Sequence, residues 1–219
     1  MASRPSTAEP DVEHTGPPER LSADQRKAAL FDAAKALVDE AGPGRVTIGA
    51  VADRAGVTRA LVYKHFGNKD DLLQALYRRE AERLDRKIAA DVAATPDGFE
   101  PKLRAFIGAT LDAVEEHAPF FTPLREAGAG RSTRQDQRRR DRRTVDYFAR
   151  QAATDFDVDL RTARSVIAVL FSGIRSLLSQ MRSRPGAAQR EFLLDTYVET
   201  ALGALDRLAR RGPPAAPRS

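Results

Sequence analysis

Arg59, Tyr63, Lys64, His65 and Lys69 fall within one short segment, TRALVYKHFGNK, which Thr58 opens and which carries Asn68 just before its last lysine. All five side chains donate hydrogen bonds or carry positive charge, and together they suit recognition of a polyanion. Arg59 can give two parallel bonds to guanine O6 and N7, and Leu61 can meet a thymine methyl. Tyr63, Lys64, His65 and Lys69 suit phosphate oxygens. Thr47 and Thr58 stand where helices should begin, and hydroxyls beside free backbone N–H groups favour a phosphate there. Taken singly, Tyr63 and His65 could equally pack on a domain, and Lys64 and Lys69 could be solvated charges. Ala60, between the arginine and the leucine, leaves the middle of this face small.

Other chemistry is poorly supplied. The chain has 219 residues and no cysteine, which excludes disulfides, thiolate catalysis and cysteine-ligated zinc. His14, His65 and His117 are far apart and outside the spacings of helical metal sites. No nucleophile–base pair or phosphate-cradling glycine loop supports an enzyme, so the expectation is no catalytic residue, no metal and no cofactor.

The elements that must position this segment are helical, because apolar residues recur at three and four and no run alternates as a strand would. A first helix starts at Ser22, with Gln25 as its capping-box partner, and stops at Gly42-Pro43-Gly44. Thr47 caps a short second helix, Ala55-Gly56-Val57 makes a tight turn, and Thr58 caps a third that ends at Gly67. Val46 with Val51, and Val57 with Val62, are spaced as hydrophobic staples. Asn68 caps a long fourth helix carrying Leu72, Leu73, Leu76, Tyr77, Leu84 and Ile88. Two short helices joined through a glycine, with longer ones on each side, form a helix-turn-helix, whose second helix enters the DNA major groove. On that helix Val62 and Phe66 share the inward face, while Ala60 and Lys64 point away between Leu61 and Tyr63.

The stretch TIGAVADRAGVTRALVYKHFGNKDDLL resembles the signature of the TetR family of one-component transcription regulators. The likeness is close over about residues 25 to 75 and elsewhere rests on helical layout and length. It implies phosphate contacts from Thr47, Thr58, Tyr63, His65 and Lys69, and base reading by Arg59, Ala60 and Leu61. Many members carry Gly where this chain has Ala60, then a small polar residue where it has Leu61, so no relative's operator sequence can be borrowed. The resemblance further implies a homodimer on a palindromic operator. It also implies a small-molecule pocket among the middle helices, whose filling alters the separation of the DNA-reading heads. By position the pocket candidates are Phe106, Thr110, Phe120, Phe121, Leu124, Tyr147, Phe148, Phe171 and Arg175. An aromatic at helical spacing is also ordinary core. Arg175, interrupting an apolar stripe, needs an anionic ligand, an acid across a dimer or a route to the surface.

After the Thr95-Pro96-Asp97-Gly98 break, helices are expected over roughly 100–117, briefly after Pro119, and over about 132–154, 159–183 and 187–210. His117 then reads as a cation at a helix C-terminus. The last two helices carry apolar stripes too wide for one contact. A second copy would cover them as a four-helix bundle through Val166, Leu170, Ile174, Leu178, Leu194, Val198, Leu202 and Leu205, unless the stripes are internal core of a monomer. The run 131–144 holds seven arginines and two aspartates. It reads as a solvated helix, with an anion- or partner-binding face as the alternative.

The expected fold is all-α. A helix-turn-helix DNA-binding domain (21–68) is joined through the fourth helix to a ligand-binding and dimerisation domain (69–211), with disordered tails at 1–20 and 212–219. The expected function is a sequence-specific, DNA-binding transcriptional repressor, dimeric and released by an unknown small-molecule effector. The alternative is a non-specific architectural DNA binder, against which a net charge of only +5 argues. No apolar run reaches the roughly 18–20 residues of a membrane span, and no N-terminal apolar core suggests a signal peptide. No membrane partner is therefore expected, and the expected location is cytoplasmic.

Overall fold

Ser22 opens the first helix as its spacing predicts: its Oγ accepts from the Gln25 N–H at 3.1 Å, and its own N–H donates to Gln25 Oε1 at 2.6 Å. The computed structural model describes residues 22–129, 134–181 and 186–211, apart from the side chains of 134–136 and 175–181. The two tails, and the side chains of Arg175 and Leu178, lie outside the described residues. Within them every regular element is helical: α1 (Ala23–Ala41), a 3₁₀ turn (Pro43–Arg45), α2 (Ile48–Arg54), α3 (Arg59–His65), α4 (Lys69–Ala93), α5 (Phe99–Glu126), α6 (Arg134–Asp155), α7 (Leu160–Met181) and α8 (Ala187–Arg211). None of these helices is long and apolar enough to cross a membrane.

Two cores organise them. The first gathers Leu30, Phe31 and Val38 of α1 with Val46, Val51, Val62, Phe66, Leu72 and Leu76. The second gathers Phe99, Leu103 and Ile107 of α5 with Phe148 of α6, Ile167 of α7, and Val198 and Leu205 of α8. At the start of α5, the Phe99 N–H donates to Asp155 Oδ2 at 2.6 Å, so a carboxylate of α6 satisfies a donor the helix itself cannot.

Helix α5 departs from expectation. It does not stop near 117 and restart after Pro119, but runs unbroken to Glu126 with Pro119 and Pro123 inside it. Each proline removes one backbone hydrogen bond, at about 3 kcal/mol in a helix interior. Pro119 takes its bond from the carbonyl of Glu115, and both residues are exposed, so water can satisfy the freed group. On the opposite side Phe120 is 8% and Leu124 0% exposed, both within the first core. Two such side chains contribute about 1.5–3 kcal/mol each, which offsets a large part of the loss. The helix ends instead at Gly128 (φ 89°), where the Ala129 N–H reaches the Leu124 carbonyl at 3.0 Å and the Gly128 N–H reaches that of Arg125 at 3.0 Å. His117 is consequently inside α5 and does not cap a C-terminus.

The fourth helix is thus not the sole link to the head, because α5 runs antiparallel to it and ends in the same core. Tyr77 of α4 and Phe121 of α5 meet edge to face, with ring centroids 5.1 Å apart. In the arginine-rich helix, Arg138, Arg139, Arg142 and Arg143 are exposed, whereas Arg140 reaches back to Asp85 of α4 with Nε 2.9 Å from the carboxylate. Burial raises the Asp85 pKa, and the guanidinium beside it opposes that rise.

Replacing Pro119 by Ala should raise stability by about 1–3 kcal/mol, because the bond to Glu115 returns within a continuous helix. Thermal or urea unfolding checks this, and an unchanged midpoint would mean that α5 is interrupted there.

Candidate nucleic-acid interface

The turn between α2 and α3 is built by backbone bonds. The Gly56 N–H donates to the Asp53 carbonyl at 3.3 Å and the Val57 N–H to that of Ala52 at 3.0 Å, with Gly56 at φ 64°. Thr58 then starts α3, its Oγ1 accepting from the Leu61 N–H at 3.3 Å; Thr47 does the same for α2, accepting from the Ala50 N–H at 3.0 Å. Asn68 starts α4 by accepting from the Asp71 N–H at 2.9 Å, while its amide donates to Asp71 Oδ2 at 3.1 Å. Three consecutive helices therefore begin with a side-chain cap, each worth about 1 kcal/mol.

These caps hold α3 with one face in and one face out. Val62 is fully buried and Phe66 nearly so, the latter meeting Phe31 edge to face at 5.3 Å. Arg59, Ala60, Tyr63 and Lys64 are exposed, Tyr63 by 56%, and Leu61 and His65 are half-buried at the margins. A phenol left open beside two cations has no packing role on this helix. Lys69 is half-buried, and its Nζ donates to the Gly44 carbonyl at 3.2 Å, so one of its three donors fastens α4 to the loop after α1.

Residues 30–76 match the profile described as bacterial regulatory proteins, tetR family. Over those residues the chain is similar to that family. An HTH-type transcriptional regulator BetI of Burkholderia thailandensis is 37% identical over 96 residues, 44% of this chain and 49% of that relative, so the match spans about half the relative's length. The HTH-type transcriptional regulator SrpR of Pseudomonas putida is 28% identical over 204 residues, covering 87% of this chain and 88% of its own. A crystal structure from Pseudomonas aeruginosa, described as a transcriptional regulator, overlays with a TM-score of 0.64 at 22% identity, covering 86% and 96% of the two chains. That likeness speaks for the fold.

The eight described pocket candidates do not line one space. Phe120, Phe121 and Leu124 lie in or against the first core, beside the head. Phe106, Tyr147, Phe148 and Phe171 pack in or against the second, where Phe148 meets the Phe106, Phe171 and Tyr147 rings at 5.4, 5.4 and 5.1 Å. Thr110 directs its hydroxyl to the Phe106 carbonyl of its own helix at 2.7 Å. The residues that do line a cleft, of about 270 Å³, sit between α4 and α5: Leu84, Ile88, Asp91, Asp112, Glu116 and His117 are among them. Their spacing carries no aromatic signal, and the cleft follows from how α5 lies along α4.

The bundle stripes divide into buried and half-buried positions. Val198 and Leu205 have no exposed surface and Ile174 only 7%, so these three serve the chain's own core. The stripes are wide because α8 packs on both α5 and α7. Val166, Leu170, Leu194 and Leu202 are half-buried, and Tyr197 donates to the Leu170 carbonyl at 2.5 Å, its phenol pKa pushed up by burial. Among the described residues, the most open large apolar groups on α7 and α8 are Val169 at 71% and Phe192 at 62%, with Leu160 at 39%; the periodicity singles out none of them.

Gly56→Ala should destabilise the head by about 1–2 kcal/mol, through its left-handed backbone alone, since a Cβ there would meet nothing within 4 Å. Equilibrium unfolding measures it; an unchanged stability would remove the turn from the account.

Proposed function

We propose that the protein is a sequence-specific DNA-binding transcriptional repressor that acts as a dimer on a palindromic operator and is released by a small molecule. The observation that carries the reading is the outward face of α3, where Arg59, Ala60, Tyr63 and Lys64 stand open while Val62 and Phe66 anchor the helix from behind. Arg59, Ala60 and Leu61 read base edges. Thr47, Thr58, Tyr63, Lys64, His65 and Lys69 hold phosphates around them.

Dimerisation follows from two considerations. A helix-turn-helix reads a palindrome by presenting two recognition helices about 34–36 Å apart. Val169 and Phe192 are apolar groups facing solvent on the last two helices, and a second copy would cover them along with Val166, Leu170, Leu194 and Leu202. The effector site we assign is the α4–α5 cleft. Both of its walls run into the head core, so a molecule that spreads them changes the head's position. The effector is favoured by the state whose heads no longer match the operator, with a coupling of about 1–3 kcal/mol.

Selection of bound DNA from a random pool at physiological salt tests the reading. A palindromic consensus, preferred over competitor DNA by roughly a thousandfold or more, supports it. A pool without consensus, held with a steep salt dependence, would make the protein an architectural binder.

Against that consensus, Arg59→Ala should relax the preference at one base pair in each half-site, by about 1–3 kcal/mol. Lys64→Ala should weaken all sequences alike and lower the salt slope by about one. Lys64 is the cleaner probe, because Lys69 also fastens Gly44. A uniform loss from Arg59→Ala would take base reading away from that residue. Phe192→Asp should shift the protein toward monomer in sedimentation velocity and reduce operator affinity with it; an unshifted dimer would remove this face from the interface.

A further inference from the structure

We infer that Gly49, on the first turn of α2, sets base specificity: its missing side chain forms the seat that holds the Arg59 guanidinium face-on. The inference rests on the reading of α3 as the base-reading helix.

A Cβ on Gly49 would stand 3.1 Å from Arg59 Nη2 and 3.2 Å from both Cζ and Nε. Three bonded, coplanar atoms can be nearly equidistant from one point at that range only if the point lies above or below their plane. The flat face of the guanidinium therefore rests over Gly49, leaving the N–H edges, which carry five donors, clear of that contact. Among the described residues no hydrogen bond or ion pair involves the Arg59 side chain. The seat constrains the plane of the fork and occupies none of its donors.

Nothing else explains this glycine. Its backbone is not left-handed, since the positive-φ glycines are Gly42, Gly56, Gly98 and Gly128. Glycine is disfavoured in helices relative to alanine. Gly108 and Gly203, also in helices, have open space where a Cβ would go, and Gly173 meets only the Tyr197 ring at an ordinary 3.7 Å. Gly49 alone among these lies under a side chain proposed to touch a base. A methyl there forces the guanidinium to shift by a few tenths of an ångström, and a longer side chain displaces it altogether. Bidentate recognition of guanine depends on the plane of the fork, so residue 49 acts through Arg59 as a positioning residue.

The experiment is selection from a random DNA pool, with sequencing, for the wild-type chain, Gly49→Ala, Gly49→Leu, Arg59→Ala and the Gly49→Ala/Arg59→Ala double variant. The expected result is a loss of preference in both Gly49 variants at the same base pair that Arg59→Ala relaxes, by about fivefold or more, and greatest for leucine. The double variant should match Arg59→Ala alone. Melting temperatures measured alongside should not fall for Gly49→Ala, which separates lost specificity from unfolding. Unchanged preference in both Gly49 variants overturns the inference, as does a Gly49 effect that persists without Arg59. A wild-type chain that selects no consensus overturns the reading of α3 itself, which is a distinguishable failure.

Discussion

The burial of Val62 and Phe66 is the constraint from which the DNA-facing surface follows. α3 is only seven residues long, too short to be stable by itself, since isolated helices below about 12–15 residues are marginal in water. Its geometry is imposed by three things: the Thr58 cap, the Gly56 turn and the anchoring of these two side chains against Phe31 and Val51. With Val62 fully inside, the 100° step between residues leaves Tyr63 and Lys64 no inward position. The chemistry outside is therefore set by the packing inside. A substitution that loosened Phe66 would displace every candidate DNA contact together.

Much of the head is legible in the sequence because its determinants are local. Ser22–Gln25, Thr47–Ala50, Thr58–Leu61 and Asn68–Asp71 are all contacts across three residues, and each follows from side chains that accept from backbone N–H groups. The course of α5 is not legible in this way. Pro119 is a strong local stop signal, and what overrides it is the tertiary burial of Phe120 and Leu124 against α1 and α4, which no window around residue 119 contains. The cleft proposed for the effector is illegible for a related reason. Aromatic residues at helical spacing mark where a helix packs, and here Phe106, Phe148 and Phe171 pack on one another. The cleft is lined instead by a mixture of small residues on α5, such as Ala105, Gly108 and Ala109, and aliphatic or charged ones on both helices, which no single periodicity marks. Gly49 escapes notice similarly, because a residue that works by having no side chain leaves no chemical signal in the sequence.

The junction between head and body bears on how a signal would travel. α4 and α5 enter the first core side by side, and Lys35 of α1 lies over the Phe120 ring at 4.9 Å. Arg79 of α4 bonds Asp32 at 2.9 Å and sits over Phe31 at 5.1 Å, so the connector also grips the helix behind α3. Removing Phe120 and Leu124 from this core would cost about 1.5–3 kcal/mol each. An effector coupling of about 1–3 kcal/mol is smaller than their sum. For a ligand in the proposed cleft site, leaving the end of α5 in the head is therefore the less costly response. In the proposed mechanism the ligand turns or shifts the head as one body with the ends of α4 and α5, and the proposed dimer would read that rigid shift as release.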